Sequence, residues 1–516
     1  MKKIRGMLRI IFGRTAFAVI SIVIQVAILI AGFRFLSHYM IYIYGGFNVL
    51  SALVIIYIQN KEENPSFKLA WMVPIAAVPV FGTLFYLFVE TQFLGKLMEK
   101  RLQVSIEATE PYMTQNPKVL DKLARISRRN ANLACYIKNS GHYPAYGGTN
   151  AAYYPSGEAM FEDMKKELES AKRFIFMEFF IVERGEMWNS ILEILERKAK
   201  EGVEVRFLYD GMCSLALLPY GYPKELLAKG IKAKMFSPIR PALTTYQNNR
   251  DHRKILVVDG ITAFTGGINL ADEYINRKVR FGHWKDTGIM LKGDAVTSFT
   301  MMFLQMWNIS EREPEDYGKY LRDPEYFYPL ELNMDGFVIP YGDSPLDHEK
   351  VGEQVYLDII NSAKSYIHIM TPYLILDYEM AQALAYAAKR GVDTCIIMPH
   401  IPDKKYAFLL AKSYYEELLR AGVRIFEYTP GFVHAKVFTS DDTKAVVGTI
   451  NLDFRSLYLH FECAVYLYRN EVIRDIERDF QDTLSQSHMV TLEECQSRPW
   501  LQKAAGRALR LFAPLM

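Results

Sequence analysis

The stretch His252-Arg-Lys254-Ile-Leu-Val-Val-Asp259-Gly260, continued to Gly266-Gly267-Ile-Asn269, recurs as His434-Ala-Lys436-Val-Phe-Thr-Ser-Asp441, continued to Gly448-Thr449-Ile-Asn451. In each copy Lys follows His by two positions, Asp by seven and Asn by seventeen. One H-x-K-x4-D is weak in a chain of 516 residues. At roughly one in twenty per fixed position, two copies sharing the downstream Gly and Asn are not a chance event.

The residues around the motifs are β-branched and apolar: Ile255, Leu256, Val257 and Val258 in the first, Val437 and Phe438 in the second. They predict a buried strand, on which positions i and i+2 share a face, so that His252 and Lys254 point together, as do His434 and Lys436. Asp259-Gly260 reads as a hairpin turn, with Thr262 to Phe264 as the return strand. Two such platforms present two imidazoles, two ammonium groups and two carboxamides, a set that suits a phosphodiester. Lys254, Lys436, Asn269 and Asn451 can hold its non-bridging oxygens. One imidazole can attack phosphorus, and the other can protonate the leaving alkoxide and then deprotonate an incoming alcohol.

A nucleophilic His needs its tautomer fixed, usually by a carboxylate. An acid follows each motif: Asp286 in His-Trp-Lys-Asp286-Thr and Glu462 in Leu-His-Phe-Glu462-Cys. Glu178, in the apolar run Phe174 to Val182, is a third candidate. Asp259 and Asp441 belong to the catalytic motif but sit at turns, where fixing the loop is the favoured role. No metal is expected, because Lys stands beside each His and no spaced Cys or carboxylate completes a shell.

These motifs are the signature of the phospholipase D superfamily, and from about residue 69 onward the chain resembles bacterial cardiolipin synthases. The segments carrying the resemblance are Asn249-Arg-Asp-His-Arg-Lys254, Phe264-Thr-Gly-Gly-Ile-Asn269, Trp284-Lys-Asp-Thr287, Thr371-Pro-Tyr373, Lys389-Arg-Gly-Val392, Gly431-Phe-Val-His-Ala-Lys436 and Gly448-Thr-Ile-Asn-Leu-Asp-Phe-Arg-Ser456, which continues into Leu459-His-Phe-Glu462. Departures are Lys285 for the usual Arg, Leu457 for Phe and His460 for Asn. The resemblance implies an α/β fold of two homologous α/β/α halves with mixed sheets, preceded by transmembrane helices. It also implies phosphatidyl transfer between two phosphatidylglycerol molecules through a covalent phosphohistidine, giving cardiolipin and glycerol. One phosphodiester is exchanged for another, so no cofactor is expected. The residues leave the nucleophile open. The longer loop of the first half, described below, favours His252, with His434 as acid/base. A hydrolytic phospholipase D, a transferase using another alcohol, and a non-catalytic lipid-binding protein with a relict site are the alternatives.

Net charge is only +3, which with the apolar N-terminus argues against a nucleic-acid partner. The five Cys are scattered, with no C-x-x-C pair. Residues 1–14 are basic. Thr15 to Phe33, Phe35 to Gln59 and Leu69 to Val89 are uncharged apolar runs, each long enough for a span of about 20 residues, the third holding Pro74 and Pro79. A multi-pass protein of the bacterial cell membrane is therefore expected, with two to three spans and the basic N-terminus inside. Three spans would put the catalytic region outside, yet Lys96, Lys100 and Arg101 favour the inside. A re-entrant run would reconcile the two.

The expected organisation is a membrane region at 1–90, a charged juxtamembrane linker at 91–142, halves at 143–335 and 336–490, and an amphipathic tail at 491–516. The halves form an internal repeat: Phe174 to Val182 answers Tyr366 to Leu374, and Glu225-Leu-Leu-Ala-Lys-Gly-Ile231 answers Glu417-Leu-Leu-Arg-Ala-Gly-Val423. The offset is 192 at Gly230/Gly422 but 182 at His252/His434, so the first half carries a loop ten residues longer, Phe236 to Arg250, just before its His. Such duplication puts the site at the interface of the halves. The tail, from Trp500 to Met516, reads as a basic amphipathic helix for a membrane surface, or as a helix packed on the catalytic region.

Overall fold

The computed structural model describes residues 23, 27, 30–31, 40–90, 93–238, 248–311, 315–322, 336–347 and 349–515. The predicted span Thr15 to Phe33 lies outside these residues apart from four positions, and most of the long loop before His252 lies outside them too. Helix α1, Met40–Gln59, is uncharged throughout its 20 residues. The third apolar run is not one helix. It breaks at Val78, because a proline disfavours helix in the residue before it and cannot donate the next hydrogen bond, and it forms α2, Pro65–Ala77, and α3, Pro79–Glu90.

These two helices fold back on each other. Trp71 on α2 lies 5.3 Å from the Tyr86 ring on α3, a pair that a continuous helix would hold about 20 Å apart. A Cβ on Gly82 would sit 2.7 Å from the Pro74 carbonyl oxygen, so only glycine permits the approach. The hairpin seats on α1 through a 2.6 Å hydrogen bond between the buried Ser51 and Thr83 hydroxyls. Lys61, just beyond α1, pairs with Glu90 at the end of α3 at 2.5 Å. Among the described residues no helix is long and apolar enough to cross a membrane. The outer faces nevertheless carry exposed Val49, Leu53, Ile56, Leu69 and Val78.

The first half builds strands β1 (Thr149–Tyr154), β2 (Phe174–Phe179), β3 (Glu204–Asp210), β4 (Lys232–Phe236), β5 (Arg250–Asp251), β6 (Ile255–Val258), β7 (Thr262–Gly266), β8 (His283–Lys285) and β9 (Gly288–Gly293). The second builds β10 (Phe337–Asp343), β11 (Tyr366–Met370), β12 (Asp393–Pro399), β13 (Arg424–Tyr428), β14 (Gly431–Val433), β15 (Val437–Ser440), β16 (Lys444–Gly448), β17 (His460–Tyr468) and β18 (Ser487–Met489). The first sheet runs β1-β9-β7-β6-β2-β3-β4 and the second β10-β17-β16-β15-β11-β12-β13-β18. Strand for strand the order is the same, apart from β18 added at one edge. The repeat read from Phe174 and Tyr366 is thus a repeat of topology, with parallel β2-β3-β4 and antiparallel β6-β7-β9 in one mixed sheet.

Central strands such as β2 and β15 are buried along their whole length, and helices of their own half pack on both: Phe176 stacks on Phe303 at 4.6 Å and Phe438 on Tyr356 at 3.9 Å. One hydrophobic core runs through both halves, with Phe176, Ile255 and Phe299 from the first and Ile339, Ile369 and Val446 from the second. The charged segment 91–142 folds as helices Phe93–Thr109, Pro117–Ile126 and Arg128–Gly141, whose Leu102, Leu123 and Ala134 join that core. The tail helix Trp500–Phe512 packs on helix Lys405–Arg420: Gly506 lies against the Leu409 carbonyl, and Arg510 covers the Tyr414 ring at 4.0 Å. Trp500 and Leu501 remain exposed on it.

Candidate active site

Both motif histidines sit where the chain passes from one half to the other. The lead-in strand β5 pairs in parallel with β17 of the second half, Arg250 opposite His460 and Asp251 opposite Phe461. The lead-in strand β14 pairs in parallel with β8 of the first half, Gly431 opposite His283 and Val433 opposite Lys285. One step further along each register, His252 meets Glu462 and His434 meets Asp286. The backbone holds the step too: His252 N–H donates to the Phe461 carbonyl at 2.9 Å and His434 N–H to the Lys285 carbonyl at 2.7 Å.

His-x-Lys therefore lies between β5 and β6, and between β14 and β15, rather than inside a strand as its apolar flanks predict. The chain leaves its ladder with the other half at His and joins its own sheet after Lys. The expected shared face is replaced by a bent arrangement in which each Lys ammonium reaches back to the carbonyl of its own His. Lys254 does so at 2.5 Å, and Lys436 does so while also lying 2.9 Å from His434 Nδ1.

Each ring is oriented by a carboxylate of the opposite half. His252 Nδ1 lies 2.8 and 2.9 Å from the Glu462 oxygens, and His434 Nδ1 lies 2.7 Å from Asp286 Oδ2. Both acids are fully buried, and the histidines keep 7 % and 8 % exposure, enough for an edge of each ring to face the site. Glu462 also accepts from the Thr449 hydroxyl and, at 2.8 Å, from Ser456. Burial pushes its carboxyl up, but His252 and His460 beside it hold it well below the usual range.

Burial pushes His252 well below its ordinary value, so the ring is neutral, with its proton on Nδ1 toward Glu462 and its Nε2 lone pair free. His434 is pushed down to about 4, by burial and then by the Lys436 charge. Burial brings Lys254 down to about 8 and Lys436 down to about 7, the latter against the pull of Asp286 and with repulsion from Lys254.

These values set a pH profile. Lys436 and Lys254 are cations only below about 7 and 8, so the rate constant kcat/KM, which reports the free enzyme, falls as pH rises through 7–8. On the acid side it falls only well below the ordinary imidazole range, where His252 gains a proton and loses the lone pair of its Nε2. A Lys436→Arg enzyme keeps its cation at all these pH values, and its alkaline limb moves up toward the value of Lys254. A limb that stays in place in that variant assigns it to another group.

Asp259 and Asp441 hold turns. Asp259 accepts from the backbone N–H groups of Lys172, Arg173 and Phe174 at 2.7–2.8 Å, and Asp441 from those of Lys364, Ser365 and Tyr366 at 2.8–3.1 Å. Each clamps the start of the strand beside its own hairpin. Positive φ at Asp259, Gly260, Asp441 and Asp442 gives both hairpins the primed turn that matches strand twist. Asp441→Ala leaves three N–H groups without a charged acceptor. It is expected to lower stability by roughly 3 kcal/mol, read as a fall in melting temperature, with kcat of the folded enzyme within a few-fold of wild type.

Asn269 is engaged: its carbonyl accepts from Ile181 N–H at 2.9 Å and its amide donates to the Tyr274 hydroxyl at 2.8 Å. Asn451 is buried, with its side-chain oxygen unpartnered among the described residues. Glu178 does not serve a histidine. It pairs with Arg253 at 2.8 Å beside Asp251, in a fully buried cluster.

Three contributors carried no signal of their role in the sequence. Thr449 and Ser456 hold Glu462, and His460 places its ring 5.4 Å from that of His252. Ser456 belongs to a π-helical turn, Arg455–Leu459, of a type that often marks functional sites. Asn64 and Phe67, from the loop between α1 and α2 and the start of α2, grip the same turn. Asn64 donates to Tyr458 at 2.8 Å and the Phe67 ring meets the Tyr458 ring edge-on at 5.5 Å. The N-terminal helices are thereby tied to the segment that positions Glu462.

The family described as "Cardiolipin synthase, PLD-like domain" matches residues 164–307 and 356–484, and the one described as "Phospholipase_D-nuclease N-terminal" matches residues 46–90. An uncharacterized protein of Streptococcus mutans serotype c is 52% identical over 462 residues, 90% of this chain and 99% of that one. The cardiolipin synthase of Halalkalibacterium halodurans is 34% identical over 486 residues, covering 92% of this chain and 95% of that one. That of Geobacillus kaustophilus is 34% identical over 481 residues, covering 92% and 94%. Among solved structures, the phosphatidylserine synthase of Haemophilus influenzae Rd KW20 shares the fold, with a TM-score of 0.54 at 14% identity over 74% of this chain and 98% of that one.

Proposed function

From the premise that this chain belongs to the cardiolipin synthase family of phospholipase D-like enzymes, we propose that it joins two phosphatidylglycerol molecules into cardiolipin, releasing glycerol. The observation that carries the reading is the reciprocal pairing of each motif histidine with a buried carboxylate of the other half.

In the proposed sequence His252 Nε2 attacks phosphorus of the first lipid, and the bond to the glycerol oxygen breaks. The departing alkoxide takes a proton from His434. The ring of the phosphohistidine becomes cationic, and Glu462, held ionised by Thr449 and Ser456, is its counter-ion. That is the reason to assign the covalent step to His252. A hydroxyl of the second phosphatidylglycerol then gives its proton to His434 and attacks phosphorus, releasing His252. Lys254 and Lys436 hold the phosphate charge throughout. A bound phosphodiester anion raises the His434 pKa from its resting value toward neutrality, which suits a group that gives and regains a proton.

Both lipids lie in a bilayer, and the exposed apolar faces of α1 to α3 support a membrane-bound enzyme. The α2–α3 hairpin enters and returns, with the Lys61–Glu90 pair bringing its exit beside the end of α1. The catalytic halves then lie on the membrane face from which the hairpin enters.

The test is turnover of phosphatidylglycerol alone, in detergent micelles with excess chelator. Cardiolipin and glycerol are expected to appear together. Phosphatidic acid without cardiolipin would make the chain a hydrolase.

A further inference from the structure

His460 is a buried imidazole that the proposed reaction does not use. It is 8 % exposed, and neither of its ring nitrogens has a hydrogen-bond partner among the described residues. Buried polar atoms are rarely left so, and each such case calls for a ligand, a water or a role. Its ring stands 5.4 Å from that of His252, and its Nδ1 lies 3.6 Å from Glu462 Oε1. One donor atom from each of His252, His460 and Glu462 falls within 4.8 Å of the others.

We propose that His252, His460 and Glu462 bind a divalent transition-metal ion, zinc being the best chemical fit, and that the bound ion switches the enzyme off. Two imidazoles and one carboxylate are a donor set of open zinc sites, in which a fourth position is left for water or ligand. Bonds of about 2.0–2.2 Å at tetrahedral angles put neighbouring ligand atoms about 3.3–3.5 Å apart. The 3.6 Å between His460 and Glu462 is close to that spacing, and the 2.8 Å between His252 and Glu462 opens by about half an ångström when a metal replaces the proton between them.

The inhibition follows from the tautomer. His252 Nδ1 faces Glu462, so it is the nitrogen that the metal takes. A neutral imidazole has one proton, and with Nδ1 on the metal that proton resides on Nε2. The lone pair that attacks phosphorus is then gone, and Glu462 no longer serves as counter-ion to the phosphohistidine. His460 contributes the third ligand, and amide replacements of it leave only two strong donors.

The inhibition rests on the proposed reaction, whereas the binding does not, and the two are measured separately. Metal-free protein in detergent is titrated with cobalt(II), whose tetrahedral complexes absorb visibly, and the cobalt is displaced with zinc. Wild type is expected to bind one cobalt per chain, and His460→Asn and His460→Gln to bind at least tenfold more weakly. In parallel, zinc is added to the phosphatidylglycerol assay. The zinc concentration halving the rate, taken relative to each protein's own metal-free rate, is expected to rise at least tenfold in the two variants. Chelator is expected to restore the wild-type rate. Wild type without tetrahedral cobalt bands overturns the site, as does binding or inhibition unchanged in folded His460 variants. Cobalt binding lost in the variants in a protein that makes no cardiolipin would uphold the site and reject the reaction.

Discussion

His252→Ala and His434→Ala are each expected to lower cardiolipin formation by about 10⁴-fold or more, and they are expected to fail at different steps. Removing His252 removes the nucleophile, so no phosphatidyl-enzyme forms from any substrate. Removing His434 removes only the proton carrier, a contribution that matters in proportion to the basicity of the leaving oxygen. With a phosphatidyl ester of a nitrophenol, whose anion leaves without a proton, His434→Ala is expected to give a burst of nitrophenol equal to the enzyme and to trap the covalent intermediate, because the attacking alcohol then lacks its base. His252→Ala is expected to give no burst. A burst in His252→Ala and none in His434→Ala would reverse the two roles. That outcome would leave the crossed geometry intact, because both histidines are buried to the same degree and each has its carboxylate.

The second large effect belongs to the carboxylates. Glu462→Gln keeps the size of the side chain and removes the charge that holds the proton on His252 Nδ1. The neutral amide can donate to Nδ1 as readily as accept from it, so the tautomer with a free Nε2 is no longer favoured. A loss of about 10³-fold in kcat is expected, with a small change in KM, since Glu462 orients the ring without lying among the phosphate-holding groups. Asp286→Asn is expected to act similarly on His434. Because each acid serves the other half's histidine, His252→Ala and Glu462→Gln combined are expected to cost little more than His252→Ala alone. Glu462→Gln and Asp286→Asn combined are expected to cost more than either. Kinetics of these variants decide the pairing. If Glu462→Gln is instead silent on the His434→Ala background and additive on the His252→Ala background, the pairing is not crossed in solution.

Much of this protein is determined by the sequence alone. The doubled His-x-Lys with its Asp and Asn points to phosphodiester chemistry and gives away the two-fold plan, since spacing along a chain is invariant to how the halves meet. The apolar strands around Ile255 and Val437 and the Asp259-Gly260 turn are local features, and they form where the residues predict. Asp286 and Glu462 were also legible as the acids that follow each motif. Which acid serves which histidine was not. Those contacts join residues 210 and 148 positions apart, and they depend on the register of β5 on β17 and of β14 on β8, which belongs to the packing of one half on the other.

The same packing decides the remaining differences. His252 and Lys254 share no strand because the chain changes sheets between them. The Asn269 amide is taken by Ile181 and Tyr274, neighbours supplied by a strand end and a nearby turn. The apolar run Leu69 to Val89 satisfies any hydropathy criterion for a span, yet Pro79 breaks it and Gly82 lets the pieces close on each other. His460 is unremarkable as a letter in Leu-His-Phe-Glu462, and becomes a third imidazole of the site only when β17 lies beside β5. Sequence sets which groups are present and how local turns bend, because those depend on near neighbours. The pairing of charges across an interface depends on strand register, and only the folded halves fix that.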